Sequence, residues 1–82
     1  MRNQNIKLSK KEGQYLAFIY YYTKINSQPP AYSDFQRYFK TDPTSVYRML
    51  MQLETKNYIS KIPKKPRSIS ITISTKVIPD LD

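Results

Sequence analysis

Between Arg37 and Arg67 the sequence places eight cations, Arg37, Lys40, Arg48, Lys56, Lys61, Lys64, Lys65 and Arg67, against two acids, Asp42 and Glu54. Groups of this kind do electrostatic chemistry. Each can neutralise a phosphate and release its counterions, and a guanidinium can also donate both arms to O6 and N7 of a guanine. Arg48 is the cation placed for the second task, because Thr44, Arg48, Met51 and Thr55 fall on one face at helical spacing, with Ser45 and Tyr47 on its flanks. Thr44, Ser45, Tyr47, Arg48 and Met51 are therefore the candidate base-edge contacts, Met51 serving either a thymine methyl or a protein surface. Lys40, Thr41, Thr55, Lys61, Lys64, Lys65 and Arg67 are candidates for phosphate contact, which positions without specifying. Lys64, Lys65 and Arg67 have an alternative reading as a solubilising loop that blocks edge aggregation.

Other chemistries are excluded by composition. The chain has no cysteine and no histidine, so thiolate or imidazole metal sites, disulfides, a Cys-His pair and a Ser-His-Asp triad are out of reach. Asp34, Asp42 and Glu54 are too far apart in sequence to suggest an acid-base pair and read as caps and surface charge. No enzyme, cofactor, metal or small-molecule ligand is expected. The formal charge of +8 in 82 residues calls for a polyanion or an anionic membrane. The membrane is disfavoured because the longest apolar-looking stretch, Tyr15 to Tyr22, is far short of the roughly 20 residues a spanning helix needs. Residues 1–14 show no apolar signal core, so the expected location is cytoplasmic.

Those candidates need elements to hold them. Residues 1–7 read as a flexible basic arm, 8–74 as one domain and 75–82 as a tail. Ser9 and Glu12 form a Ser-x-x-Glu capping box with Leu8 as staple, opening a helix over 10–25. Its stripe is Leu16, Ile19, Tyr20 and Thr23, widened by Phe18, Tyr22 and Ile25. Tyr20, Tyr21 and Tyr22 are consecutive and so point apart, which favours packing over a stacking platform. Pro29-Pro30 forces an extended turn, Ser33-Asp34 offers a cap, and Phe35, Tyr38 and Phe39 follow in a short second helix. Asp42-Pro43 reads as N-cap and first turn of a third helix, with Val46, Met49, Leu50 and Leu53 buried and Asn57 as the left-handed stop. The period then changes. Residues 58–62 and the alternating 69–73 read as strands joined by Pro63-Lys64-Lys65-Pro66, whose prolines keep the tip open and exposed.

Three helices followed by a β-hairpin with a basic tip is the element order of an α+β fold, the winged helix-turn-helix. In that arrangement the outer face of the third helix enters a major groove of double-stranded DNA and the wing rests on the backbone. Neutralising about 6 phosphates gives a salt slope of roughly −5. The reading is sequence-specific DNA binding in transcriptional regulation, nucleoid-associated when bound, with a homodimer on DNA as the arrangement a palindrome would require. The rivals are a protein-interaction module presenting Tyr47 and Met51 to a partner or a second copy, and an RNA-binding module using the same basic surface.

The chain also resembles the winged-helix N-terminal DNA-binding domain of LexA-type repressors over about residues 8 to 73. The matching pieces are Leu8-Ser9, the Gln28-Pro29-Pro30 turn, Phe35 and Phe39, Pro43 before the third helix, and Leu50-x-x-Leu53 running through Lys56 into Tyr58-Ile59. The paired prolines separate it best from other winged helices. The chain departs from the family at Ala31, where a capping hydroxyl stands, at Lys40-Thr41, where the turn contains glycine, and at the proline-flanked wing tip. The resemblance implies that the start of the third helix reads the operator, here Thr44, Ser45, Tyr47 and Arg48. These differ chemically from the family's residues, so a different site is expected. The family's self-cleaving protease and dimerisation domain is not expected in this length.

Overall fold

A computed structural model of the chain describes residues 6–82. Residues 1–5 of the expected arm lie outside the described residues, and Ile6 and Lys7 carry no regular structure. The elements are α1 (Lys10–Asn26), α2 (Tyr32–Phe39), α3 (Pro43–Thr55), β1 (Ile59–Ser60) and β2 (Ser70–Ile71), followed by a 3-10 turn at Thr75–Val77. Three helices and a two-stranded antiparallel sheet make the α+β winged-helix arrangement that the pattern predicts.

Caps set the helix starts. At α1 the Ser9 hydroxyl accepts from the Glu12 amide at 3.1 Å, and the Glu12 carboxylate accepts from the Ser9 amide at 3.0 Å, completing the box. The expected Ser33-Asp34 cap on α2 is corrected: the N-cap is Ala31, and Asp34 lies at the third helical position with its carboxylate accepting the Ala31 amide at 2.8 Å. A methyl group cannot accept a hydrogen bond, so only the carboxylate half of the box forms there. At α3 the Asp42 carboxylate accepts from the Ser45 amide at 2.7 Å with Pro43 in the first turn. Asn57 ends that helix at φ 63°, with Tyr58 and Asn57 amides returning to the Leu53 and Glu54 carbonyls at 2.9 Å each, a Schellman stop without glycine.

The core gathers Tyr15, Leu16, Phe18 and Ile19 from α1, Phe35 from α2, Val46, Leu50 and Leu53 from α3, and Ile59 and Ile69 from the hairpin. Tyr15 stacks on Phe39 with ring centres 4.5 Å apart, and Phe18 meets Phe35 at 5.0 Å, so aromatic rings fill the seam between α1 and α2. The expected α1 stripe is corrected at two places. Tyr15 belongs to it, and Ile25 is 78 % exposed because the last turn of α1 runs past the elements packed against it.

The hairpin is shorter than five residues a side. Ile59 pairs with Ile71 and Ser60 with Ser70, and the Thr72 amide donates to the Tyr58 carbonyl at 3.0 Å. Beyond Ser60 a side chain replaces the ladder: the Ser68 hydroxyl accepts from the Ile62 amide at 2.9 Å and donates to the Lys65 carbonyl at 2.8 Å. Pro63 and Pro66 have no amides to continue the pairing. Ile69 is nevertheless buried and Ile71 and Ile73 are half-buried, so the inward alternation survives.

Residues 75–82, expected as a tail, return across α1. Gln14 donates to the Asp80 carbonyl at 3.0 Å and accepts from the Asp82 amide at 2.8 Å, the Tyr38 hydroxyl donates to the Asp82 carbonyl, and Ile78 and Leu81 pack on the core. Gly13, the single glycine, permits this approach: a Cβ there would lie 2.9 Å from Pro79 Cγ. No helix of the described residues is long and apolar enough to cross a membrane.

Candidate nucleic-acid interface

Residues three and four apart share a face of a helix, which divides α3 into an inner side and three outer rows. Val46, Leu50 and Leu53 are buried, Met49 is half-buried, and Thr44, Arg48, Met51 and Thr55 stand exposed opposite them. One flank carries Tyr47 and Glu54, and there the wing is attached: Lys61 Nζ lies 3.6 Å from Glu54 Oε1. Burial works against the Lys61 ammonium, but Tyr32 and Glu54 hold its pKa above the ordinary lysine value.

The other flank carries Ser45, Gln52 and Lys56 and faces the start of α1. Glu12 is 1 % exposed, and its second oxygen accepts from Gln52 Nε2 and from Lys56 Nζ, each at 2.6 Å. Burial raises the Glu12 carboxyl, but hydrogen bonds from Lys56, the Ser9 amide and Gln52 outweigh it and bring the pKa down to about 2. The same contact raises the Lys56 ammonium. The exposed row of α3 is thus bracketed by the wing on one side and α1 on the other, and both brackets are ionic.

Thr44, Ser45, Tyr47, Arg48, Met51 and Thr55 all reach solvent. Lys40 is exposed at φ 52°, adopting without glycine the left-handed turn between α2 and α3. Thr41 is half-buried, its amide donating to the Gln36 carbonyl at 3.2 Å. Lys64 and Lys65 are exposed with Pro63 and Pro66 on the wing tip, as the proline placement predicts.

Arg67 stands apart from those lysines. Its Nη1 donates to Tyr22 Oη at 3.1 Å, Asp34 Oδ2 at 3.1 Å and the Pro29 carbonyl at 3.4 Å, so it points toward α1 and α2. Asp34 is 7 % exposed, and its other oxygen meets Arg37 at 2.5 Å. Burial raises the Asp34 carboxyl, but the Ala31 amide, Tyr22, Arg67 and Arg37 together lower it below the usual aspartate value.

Four of the eight cations counted from Arg37 to Arg67 therefore sit in internal ion pairs, namely Arg37, Lys56, Lys61 and Arg67, whereas Lys40, Arg48, Lys64 and Lys65 have no acid within 4.0 Å among the described residues. Sequence reading did not find the second task of Glu12, the part of Gln52, or the reach of Arg67 to Asp34. The capping motif explains one oxygen of Glu12 and is silent on the other. Neither long-range pair has a local spacing that announces it.

No protein-family model matches the chain. Among curated proteins it is 37 % identical over 65 residues to the LexA repressor of Thermosipho melanesiensis and 34 % identical over 65 residues to that of Thermosipho africanus, in both cases across 79 % of this chain and 33 % of the relative. The LexA repressor of Thermotoga neapolitana is 33 % identical over 69 residues, 84 % of this chain and 35 % of the relative. The chain spans about a third of the length of these relatives. With a winged-helix arrangement and several LexA repressors matching at 32 to 37 % identity over about four-fifths of its residues, the chain is a homologue of the LexA-type repressors.

Proposed function

We propose that the chain binds double-stranded DNA sequence-specifically in transcriptional regulation, with α3 in the major groove and the wing on the phosphate backbone. The observation that carries this is the exposed row Thr44, Arg48, Met51 and Thr55, held between two ionic brackets while Arg48 has no acid within 4.0 Å among the described residues and only the longer-range charge of Asp42 near it. A free guanidinium on a rigid helix is pre-organised for a guanine edge. The homology to LexA repressors supports DNA-binding regulation in general. Thr44, Ser45, Tyr47, Arg48 and Met51 are the base-edge set. Lys40, Thr41, Thr55, Lys61, Lys64 and Lys65 are the backbone set, Lys61 on condition that it leaves Glu54.

Internal pairing lowers the salt dependence expected from raw charge. With Lys40, Lys64, Lys65 and one or two further contacts on phosphate, each chain should show a slope of log affinity against log salt of roughly −3.5 to −4.5. A fluorescence titration of a random duplex pool across a salt series measures it, and a flat response defeats the proposal. In selection from random duplex sites, Arg48→Ala should relax preference at one position by about 1–3 kcal/mol, whereas Lys64→Ala should weaken all sites alike. Half-site symmetry in the selected sequences would report whether two copies bind.

A second reading rests on Tyr47 and Met51, which are exposed and one turn apart on the wing-side edge of α3. Neighbouring large apolar side chains on one edge suit a protein contact. Self-association in sedimentation that needs no nucleic acid and is lost in Tyr47→Ala would favour it.

A further inference from the structure

A two-stranded hairpin with two paired residues on each side cannot hold its own shape in water. The wing tip is stiffened locally by Ser68 and by the Lys65 amide donating to the Ile62 carbonyl at 3.1 Å, but neither bond reaches another element. The tip overhangs a cleft of about 400 Å³ lined by Ala31, Tyr32, Lys61, Lys64, Lys65 and Arg67 among others, so it is not packed flat on the core. One side chain of the tip's return arm crosses to the helices: Arg67, at φ 54°, bridges Tyr22 of α1, the Pro29 carbonyl and Asp34 of α2 with a single nitrogen. The buried Asp34 carboxylate requires cationic partners, since an isolated buried charge is heavily penalised.

Resting on the DNA-binding reading above, we propose that Arg67 is a positioning residue and not a phosphate contact: its bridge to Asp34 and Tyr22 fixes the wing so that Lys64 and Lys65 meet the backbone. The two roles make opposite predictions at Asp34. Asp34→Asn removes a negative charge from a protein that binds a polyanion and frees Arg67. General electrostatics and a phosphate role for Arg67 both call for tighter binding. Loss of the bridge calls for weaker binding, because the two lysines lose their placement.

The experiment is a salt-series titration of a fluorescent random duplex with the full chain and its variants, with circular dichroism confirming that each is folded at the assay temperature. Asp34→Asn is expected to bind about tenfold more weakly, with its salt slope shallower by about 2, the contribution of two phosphate contacts. Tighter binding by folded Asp34→Asn overturns the proposal. If that variant does not fold, a cycle decides: Arg67→Gln should weaken the native chain comparably but add nothing in the Lys64→Ala/Lys65→Ala background. An equal loss in both backgrounds, with a further slope decrease of about 1, would make Arg67 a direct phosphate contact and overturn the proposal. Failure of the native chain to bind duplex in a salt-dependent way removes the DNA-binding reading itself, an outcome visible before any variant is compared.

Discussion

Glu12 and Asp34 occupy the same position in two helices and reach opposite brackets of the molecule. Each stands third in its helix, accepts the N-cap amide, and holds a cation from far along the chain. They differ in what lies beyond the cation. Lys56 and Gln52 belong to the end of α3, whose Leu50 and Leu53 share one buried core with Leu16 and Ile19 of α1. Arg67 belongs to a hairpin that the core holds mainly through its strand isoleucines. The first network reinforces a contact that exists without it, so its loss should appear in global stability. The second, together with the Lys61–Glu54 contact, ties the wing to the helices from outside the core, so its loss should appear in the posture of the wing. Charge counted along a sequence does not separate these uses from free cations.

The largest effect should come from the first network. Glu12→Ala removes a nearly inaccessible carboxylate that closes a capping box and accepts two long-range donors. It should destabilise the fold by about 2–4 kcal/mol, read as a lower midpoint in urea unfolding. Asp34→Ala should cost about 1–2 kcal/mol, because Arg67 is 36 % exposed in its side chain and Arg37 72 %, which lets both return to water. Equal costs would remove the distinction between the two sites, and a reversed order would show that the wing is integral to the core.

Acid should test the first network directly. The Glu12 carboxyl is lowered from 4.5 to about 2, so its contribution is fully present above the unfolded value and is lost as pH falls from about 4.5 through 2. A shift of that size amounts to about 3 kcal/mol, and on the order of 2 kcal/mol once solvent around Lys56 is allowed for, since that side chain is 44 % exposed. Urea unfolding of the native chain should weaken steeply across that window. In Glu12→Gln the decline should be shallower by that amount, and an unchanged pH profile would mean that the Lys56 contact is not formed in solution.

Local rules foretold a large part of this. Ser9 with Glu12, Asp42 with Pro43, and Asn57 each act through neighbours within a turn or two, and the structure has them in the roles their residue types dictate. The outward row of α3 follows from the 3.6-residue period and is exposed as expected. What local pattern could not supply was competition between elements. Ser68 takes over bonds that strand alternation assigns to a ladder, Ile25 outruns the surface it was patterned to meet, and the tail's Ile78 and Leu81 find the core because Gly13 leaves room for Pro79. Arg67 looked like its neighbours Lys64 and Lys65 for the same reason. Its partner Asp34 is 33 residues away, and only the tertiary fold brings the two together.

The smallest effect tests the caps alone. Ser9 and Ala31 hold nearly the same extended backbone, φ −68°, ψ 163° and φ −85°, ψ 166°, and each precedes an acid at the third helical position. Only Ser9 has an oxygen to offer the amide of that acid. At α2 the Asp34 amide instead reaches the Ala31 carbonyl at 3.0 Å. Ala31→Ser should therefore complete the second box without moving the backbone and stabilise the fold by about 0.5–1 kcal/mol, seen as a higher urea midpoint at an unchanged slope. The added hydroxyl leaves the carboxylate's bonds to Arg67 and Arg37 in place, so duplex affinity and its salt slope should stay as they are. A change in DNA binding with Ala31→Ser would mean that the start of α2, and not the Arg67 bridge alone, governs where the wing sits.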